Sequence, residues 1–213
     1  MRTLDIFAPE QSPPAQRYYR LTPGAPAIEL ADAKSFLRVD FNDDDADIQR
    51  FINAAIGRLD GSGRERDGLL GKALTNQTWI LEAEGPDCGR IAIEHGIVQS
   101  ITKVEAMSSG TYVTWASTNY RLGFRDNKAF LTPVSGQSFP PHDCREDAFK
   151  ITYLCGYGPA ATDVPGDLIE AMLMHVGHLY ENRGLVADAG GSSNVLPLGY
   201  MDLIELHRVI PLV

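Results

Sequence analysis

The sequence predicts an α+β chain, an antiparallel helical core with an antiparallel β domain inserted into it. Two amphipathic stretches, residues 43–59 and 165–183, carry apolar side chains at helical spacing. Between them the period drops to two, in short runs rich in β-branched and aromatic residues. No residue set with catalytic or metal-binding spacing accompanies either part. The expected product is therefore a structural part that presents surfaces to other chains.

Each element has a local reason. Residues 1–27 contain Pro13, Pro14, Pro23 and Pro26 with polar spacers, and read as an extended N-terminal arm with little core of its own. Segments 28–75 and 159–184 form the expected helical core. Leu30, Ala33 and Leu37 predict a short helix. Ile48, Phe51, Ile52, Ala55, Ile56 and Leu59 follow the i, i+3, i+4, i+7 rule, and Gly61 and Gly63 end that helix. The inserted β domain, 76–158, holds strands expected at 78–84, 90–94, 98–107, 111–116, 120–124, 128–131 and 149–155. Turn residues such as Gly85-Pro86-Asp87 and Ser108-Ser109-Gly110 separate them.

Pro165 then suits a first helical turn, with Asp163 placed to cap it. Leu168, Ala171, Met172, His175, Val176 and Leu179 make one stripe. Ile48, Phe51, Ile52, Ile56, Leu168, Met172, His175 and Leu179 are thus the candidates for helical core or for a ring interface. Residues 185–213 read as a Gly- and Ser-rich link, then an apolar segment with Leu198, Tyr200, Leu203, Ile204 and Leu206.

Composition narrows the function classes. A chain of 213 residues with 44% hydrophobic content can bury a sizeable core. No apolar run approaches a membrane span, and the first residues lack the basic and apolar regions of a secretory signal, so a cytoplasmic origin is expected. Cys88, Cys144 and Cys155 are odd in number and widely spaced, which argues against a disulfide framework or a zinc knuckle. The net charge of −9 is the wrong sign for clamping DNA phosphates, and it suits either a soluble surface or a wall past which DNA slides.

The chemical motifs fail one by one. Read as a calcium loop from Asp43, the acidic run puts Ile48 where glycine is required and Ala54 where a bidentate Glu is required. Its carboxylates instead suit the positive end of a helix. His175, His178 and Glu181 lie near one helix face, but the spacing is not that of a zinc protease, and the paired Glu-x-x-His of a di-iron bundle is missing. No nucleophile elbow, phosphate-binding loop or dinucleotide fingerprint occurs. Neither an enzyme nor a cofactor is expected. Trp79, Trp115, Tyr112 and Tyr120 could form a platform for a glycan or host surface, or pack as core. That binding module, and a small metal-dependent hydrolase built on His175 and His178, are the rival readings.

The order of features resembles the head–tail connector (adaptor) proteins of long-tailed phages, prophages and gene transfer agents. The residues that carry it are Leu30-Ala-Asp-Ala-Lys-Ser-Phe-Leu-Arg-Val39, the acidic start of the next helix, and Gly71-Lys-Ala-Leu-Thr-Asn-Gln-Thr-Trp79. Tyr153-Leu-Cys-Gly-Tyr-Gly158, Val164-Pro165 and Tyr180-Glu-Asn-Arg183 complete the series. The resemblance spans residues 28–184. It implies a homo-oligomeric ring, usually of about twelve copies, docked beneath the portal protein of a capsid. Such a ring would offer a platform for stopper or tail-terminating proteins, and DNA would pass through it without specific binding. In such proteins the C-terminal segment reaches the portal, which makes Leu198, Tyr200, Leu203, Ile204 and Leu206 the portal-contact candidates here.

Overall fold

The computed structural model describes residues 16–61, 68–125, 128–182 and 199–208. Most of the expected arm, the expected link at 185–197 and Leu198 lie outside the described residues. The element order is β1 (Gln16–Thr22), α1 (Leu30–Leu37), α2 (Asp45–Asp60), β2 (Gln77–Ala83), β3 (Ile91–Ile93), β4 (Val98–Ser108), β5 (Thr111–Trp115), β6 (Tyr120–Arg125), β7 (Lys128–Pro133), β8 (Phe149–Cys155), α3 (Gly166–Glu181) and α4 (Tyr200–Glu205). The α+β class is as expected, with antiparallel sheets. One sheet has five strands in the order β1-β2-β8-β4-β5, the other three in the order β3-β7-β6.

Two compact units share these elements, and their limits run differently from the expected segments. Of the described residues, one unit takes Gln16 and Arg17, Leu81–Ile93 and the described part of Lys103–Ile151. The other takes Tyr18–Ile80, Glu94–Thr102 and the described part of Thr152–Val213. The limits thus fall inside β2, β4 and β8, not at residues 76 and 158.

The first unit is all β. Its three-stranded sheet is in register through Ile91↔Leu131 and Leu122↔Leu131. An aromatic chain fills its interior: Trp115 meets Tyr120 and Phe139 at 5.2 Å each, and Phe139 meets Phe149 edge-on at 5.6 Å.

The second unit holds the helices. Ile48, Phe51, Ile52, Ala55 and Leu59 of α2 are buried with Leu168, Ala171, Met172 and Val176 of α3. Ile56 and Leu179 are partly buried against the same core. The two apolar stripes are therefore spent inside the chain, not left for neighbours. Leu37 is followed by Arg38 in the left-handed conformation (φ 56), whose backbone N–H returns to the last turn of α1.

Three local expectations are corrected. The N-terminal arm contributes β1, with Tyr18 buried and its hydroxyl accepting from the Glu94 amide at 3.1 Å. Asp163 accepts from the Ala160 amide at 2.9 Å, closing the short turn before Pro165 instead of capping α3. Asp44, at the start of α2, makes no side-chain cap and instead accepts from the Tyr180 hydroxyl at 2.7 Å.

At the C-terminal end of α2 lies a buried carboxylate. Asp60 is 4% exposed. It accepts from Arg20 of β1 at 3.2 Å, from the Leu74 amide at 3.1 Å and from the Gln77 side-chain amide at 2.5 Å. Gln77 passes the chain on, its carbonyl oxygen accepting from the Trp79 indole at 2.8 Å. Each polar group is satisfied because the others are present. Asp60→Ala removes the acceptor that Arg20, Gln77 and the Leu74 amide share, and should cost about 3–5 kcal/mol. Urea unfolding of the two proteins checks this; a loss below about 1 kcal/mol contradicts it.

Candidate functional site

The residues that carry the family resemblance build the frame of the helical unit. Lys34 of α1 donates to Asp45 at 2.6 Å and to Asn42 at 2.8 Å, fixing the turn between α1 and α2. Tyr180 ties α3 to the start of α2 through Asp44. The Asn182 amide donates to the His178 carbonyl at 2.8 Å, closing the end of α3.

The two glycine-containing stretches lie side by side. Tyr157 donates from its backbone to Leu74 at 3.1 Å, and Asn76 to Gly158 at 2.8 Å. Gly156 sits at φ 141, and a Cβ there would strike the Thr75 backbone. Gln99 then bridges the pair, donating to Asn76 at 2.7 Å and to the Gly156 carbonyl at 2.9 Å. These motifs hold backbone against backbone, and they expose no reactive group.

Each chemical candidate has a plain structural place. His175 is 9% exposed, and its ring meets Tyr200 edge-on at 5.8 Å. His178 lies beside Asn182, and Glu181 is exposed at the end of α3. Among the described residues, no group of three or more His, Cys, Asp or Glu side chains is placed to hold a metal ion. Trp79, Trp115 and Tyr120 are buried, and the half-buried Tyr112 donates its hydroxyl to the Asp147 carbonyl at 2.8 Å under Lys150. Buried rings of this kind offer no flat aromatic strip for a glycan. Cys88 and Cys144 are exposed and Cys155 is buried; burial, with Asp60 nearby, pushes the Cys155 thiol well above its usual range.

The C-terminal segment divides between core and surface. Tyr200 and Ile204 of α4 are fully buried in the helical core, and Leu203 packs partly against it. His207 lies 3.3 Å from Asp167, and Arg208 donates to the Leu69 carbonyl at 3.2 Å, so α4 is seated on its own chain. Leu206 alone of the described portal-contact candidates faces outward, at 82% exposure; Met201, at the other end of α4, is also exposed. The helical unit also exposes Phe36 and Phe41, which sequence reading missed because each sits at an apolar position of an otherwise ordinary helix or turn. The ring of Phe36 lies over Gly177 of α3, where any Cβ would crowd it.

No protein-family model matches the sequence, and no curated protein matches it either. The fold recurs in solved particles. A chain of the neck of an empty gene transfer agent particle, computed with C6 symmetry, matches with TM-score 0.72 at 21% identity. A chain of the virion of a native gene transfer agent particle matches with TM-score 0.72 at 20% identity. A third, from the neck of a native particle computed with C12 symmetry, matches with TM-score 0.64 at 19% identity. In each case 92% of this chain and 97% of the other chain are covered. At these identities the likeness establishes a shared fold.

The seating of α4 has a titratable reporter. Burial, then the neighbouring Arg58 and His178, lower the pKa of His175 from 6.5 to about 4. The folded protein therefore holds His175 neutral where the unfolded chain would protonate it. Its contribution is complete above pH 6.5 and is lost as the pH falls from 6.5 towards 4, amounting to about 2 kcal/mol at pH 5. His175→Leu should lessen the drop in unfolding free energy between pH 7 and pH 5 by that amount. An unchanged drop contradicts the assignment.

Proposed function

We propose that this chain is a structural neck protein, a head–tail connector (adaptor) that forms a ring under the portal of a phage-like particle. In this role it joins capsid to tail and extends the DNA channel. The observation that carries the reading is a fold shared along nearly the whole of both chains with components of gene transfer agent particles, two of them from the neck. The C6 and C12 symmetries of those necks favour a closed ring, about twelve copies, built from heterologous contacts. The partners of the reading are further copies of this chain, the portal protein, and stopper or tail-terminating proteins. No described helix is long and apolar enough to cross a membrane.

The surface chemistry agrees with mechanical work. Glu29, Asp32, Asp40 and Asp43 are exposed on α1 and the segments flanking it. Carboxylates there repel phosphate, which suits a wall that DNA must pass without sticking. The role calls for no catalysis and no cofactor. Of the portal-contact candidates, Leu206 carries the proposal, since Tyr200 and Ile204 already serve the chain's own core.

Pull-down with a portal protein encoded in the same genome tests the reading. The full chain should be retained, and Leu206→Asp should weaken retention at least tenfold while changing stability by less than about 0.5 kcal/mol. Equal retention of both removes the outer face of α4 from the interface. No retention of the full chain overturns the portal assignment.

A further inference from the structure

Resting on the ring reading above, we infer that the free edge of β5 receives a strand from residues 3–7 of a second copy of this chain. Four strands lie at sheet edges: β1, β5, β3 and β6. Natural edges are usually guarded by charge, proline or cover. β1 carries Arg17 and Arg20, and β6 carries Arg121 and Arg125. β3 has three residues, and its Ala92 carbonyl already accepts from the Gln16 side chain at 3.2 Å. β5, Thr-Tyr-Val-Thr-Trp, has neither charge nor proline, and among the described residues nothing pairs with its outer edge.

The side chains make the same point independently. Val113 opposes Ala106 across the β4–β5 pair, and Trp115 opposes Val104. Opposed residues point to one face. On that face Ala106, Val104 and Trp115 are buried, yet Val113 is 57% exposed. An inward-facing valine is uncovered because the sheet stops one strand too soon for it. A further strand with two apolar residues on its inner face would cover it.

The chain contains such a segment outside the described residues. Residues 3–7 read Thr-Leu-Asp-Ile-Phe, five residues against the five of β5. Leu4 and Ile6 fall on one face at strand period, and Pro9, Pro13 and Pro14 set the run apart from β1. β1 and β5 are the two edge strands of the same sheet. An arm leaving the β1 edge of one copy meets the β5 edge of the next in a head-to-tail arrangement, which is the contact a ring requires. Main-chain hydrogen bonds would supply affinity, and the Val113 site would set the register.

Chains with one added cysteine test this in a background where Cys88 and Cys144 are serine and the buried Cys155 is kept. Ile6→Cys and Val113→Cys chains are mixed and assembled on the portal, then oxidised. A disulfide between two chains is expected, and Val113→Lys in the full chain should reduce ring assembly at least tenfold without shifting the unfolding midpoint. Amide exchange in β5 should slow at least tenfold on assembly of the unaltered chain, and a chain lacking residues 1–8 should lose that protection. Assembly of the unaltered chain is scored separately. If rings form but the disulfide and the β5 protection are absent, or Val113→Lys assembles normally, the strand proposal is overturned and the neck reading stands. If a chain carrying both Ile6→Cys and Val113→Cys, assembled and oxidised in the same way, links only within itself, the second copy is excluded as donor. If the unaltered chain forms no ring, both readings fall.

Discussion

The buried carboxylate of Asp60 is the constraint on which the helical unit depends. It ends α2, and through Arg20, Leu74 and Gln77 it fixes where β1 and the entry to β2 run beside that end. A carboxylate this far from water is tolerated only when its lone pairs are engaged, as Arg20, Gln77 and the Leu74 amide engage these. The arrangement exchanges some stability for a single geometry, because no other placement of β1 or Gln77 would satisfy the group. Trp79 extends that specification into the sheet by giving its indole N–H to Gln77.

From this frame the resemblance motifs acquire a physical meaning. Lys34, Asp44, Tyr180, Gly156 and Gly158 are scattered along the chain, yet each fixes one backbone segment against another. The frame needs them together. Each of these groups is spent on holding backbone or helix ends in place. The apolar helix stripes belong to this frame as well, so the neighbour contacts proposed above would fall to other surfaces: Leu206 and the β5 edge.

Much of the fold was legible in the sequence. The strand runs could be read because Val, Ile, Tyr and Thr alternate there between turn residues, and β8 was located to the residue at both ends. α2 and α3 were legible from their periodicity. β1 was not, since Gln-Arg-Tyr-Tyr-Arg-Leu-Thr buries a single residue, Tyr18, and so leaves no alternating apolar signal. The Asp60 network was hidden for another reason. Its partners are 40, 14 and 17 residues away, and a lone aspartate at a helix end reads locally as unfavourable or solvated. The C-terminal candidates divided along a line that composition cannot draw: Tyr200 and Ile204 turn inward, while Leu206, two positions past Ile204, turns out.

The central claim is that this chain is neck hardware and works only as a member of a ring. Electron microscopy of intact particles from the source cells tests it most directly. The account predicts a closed ring of this fold between portal and tail, with the DNA path through its centre. A particle whose neck contains no copy of this chain, or the chain found only as an isolated protein apart from any particle, would contradict it.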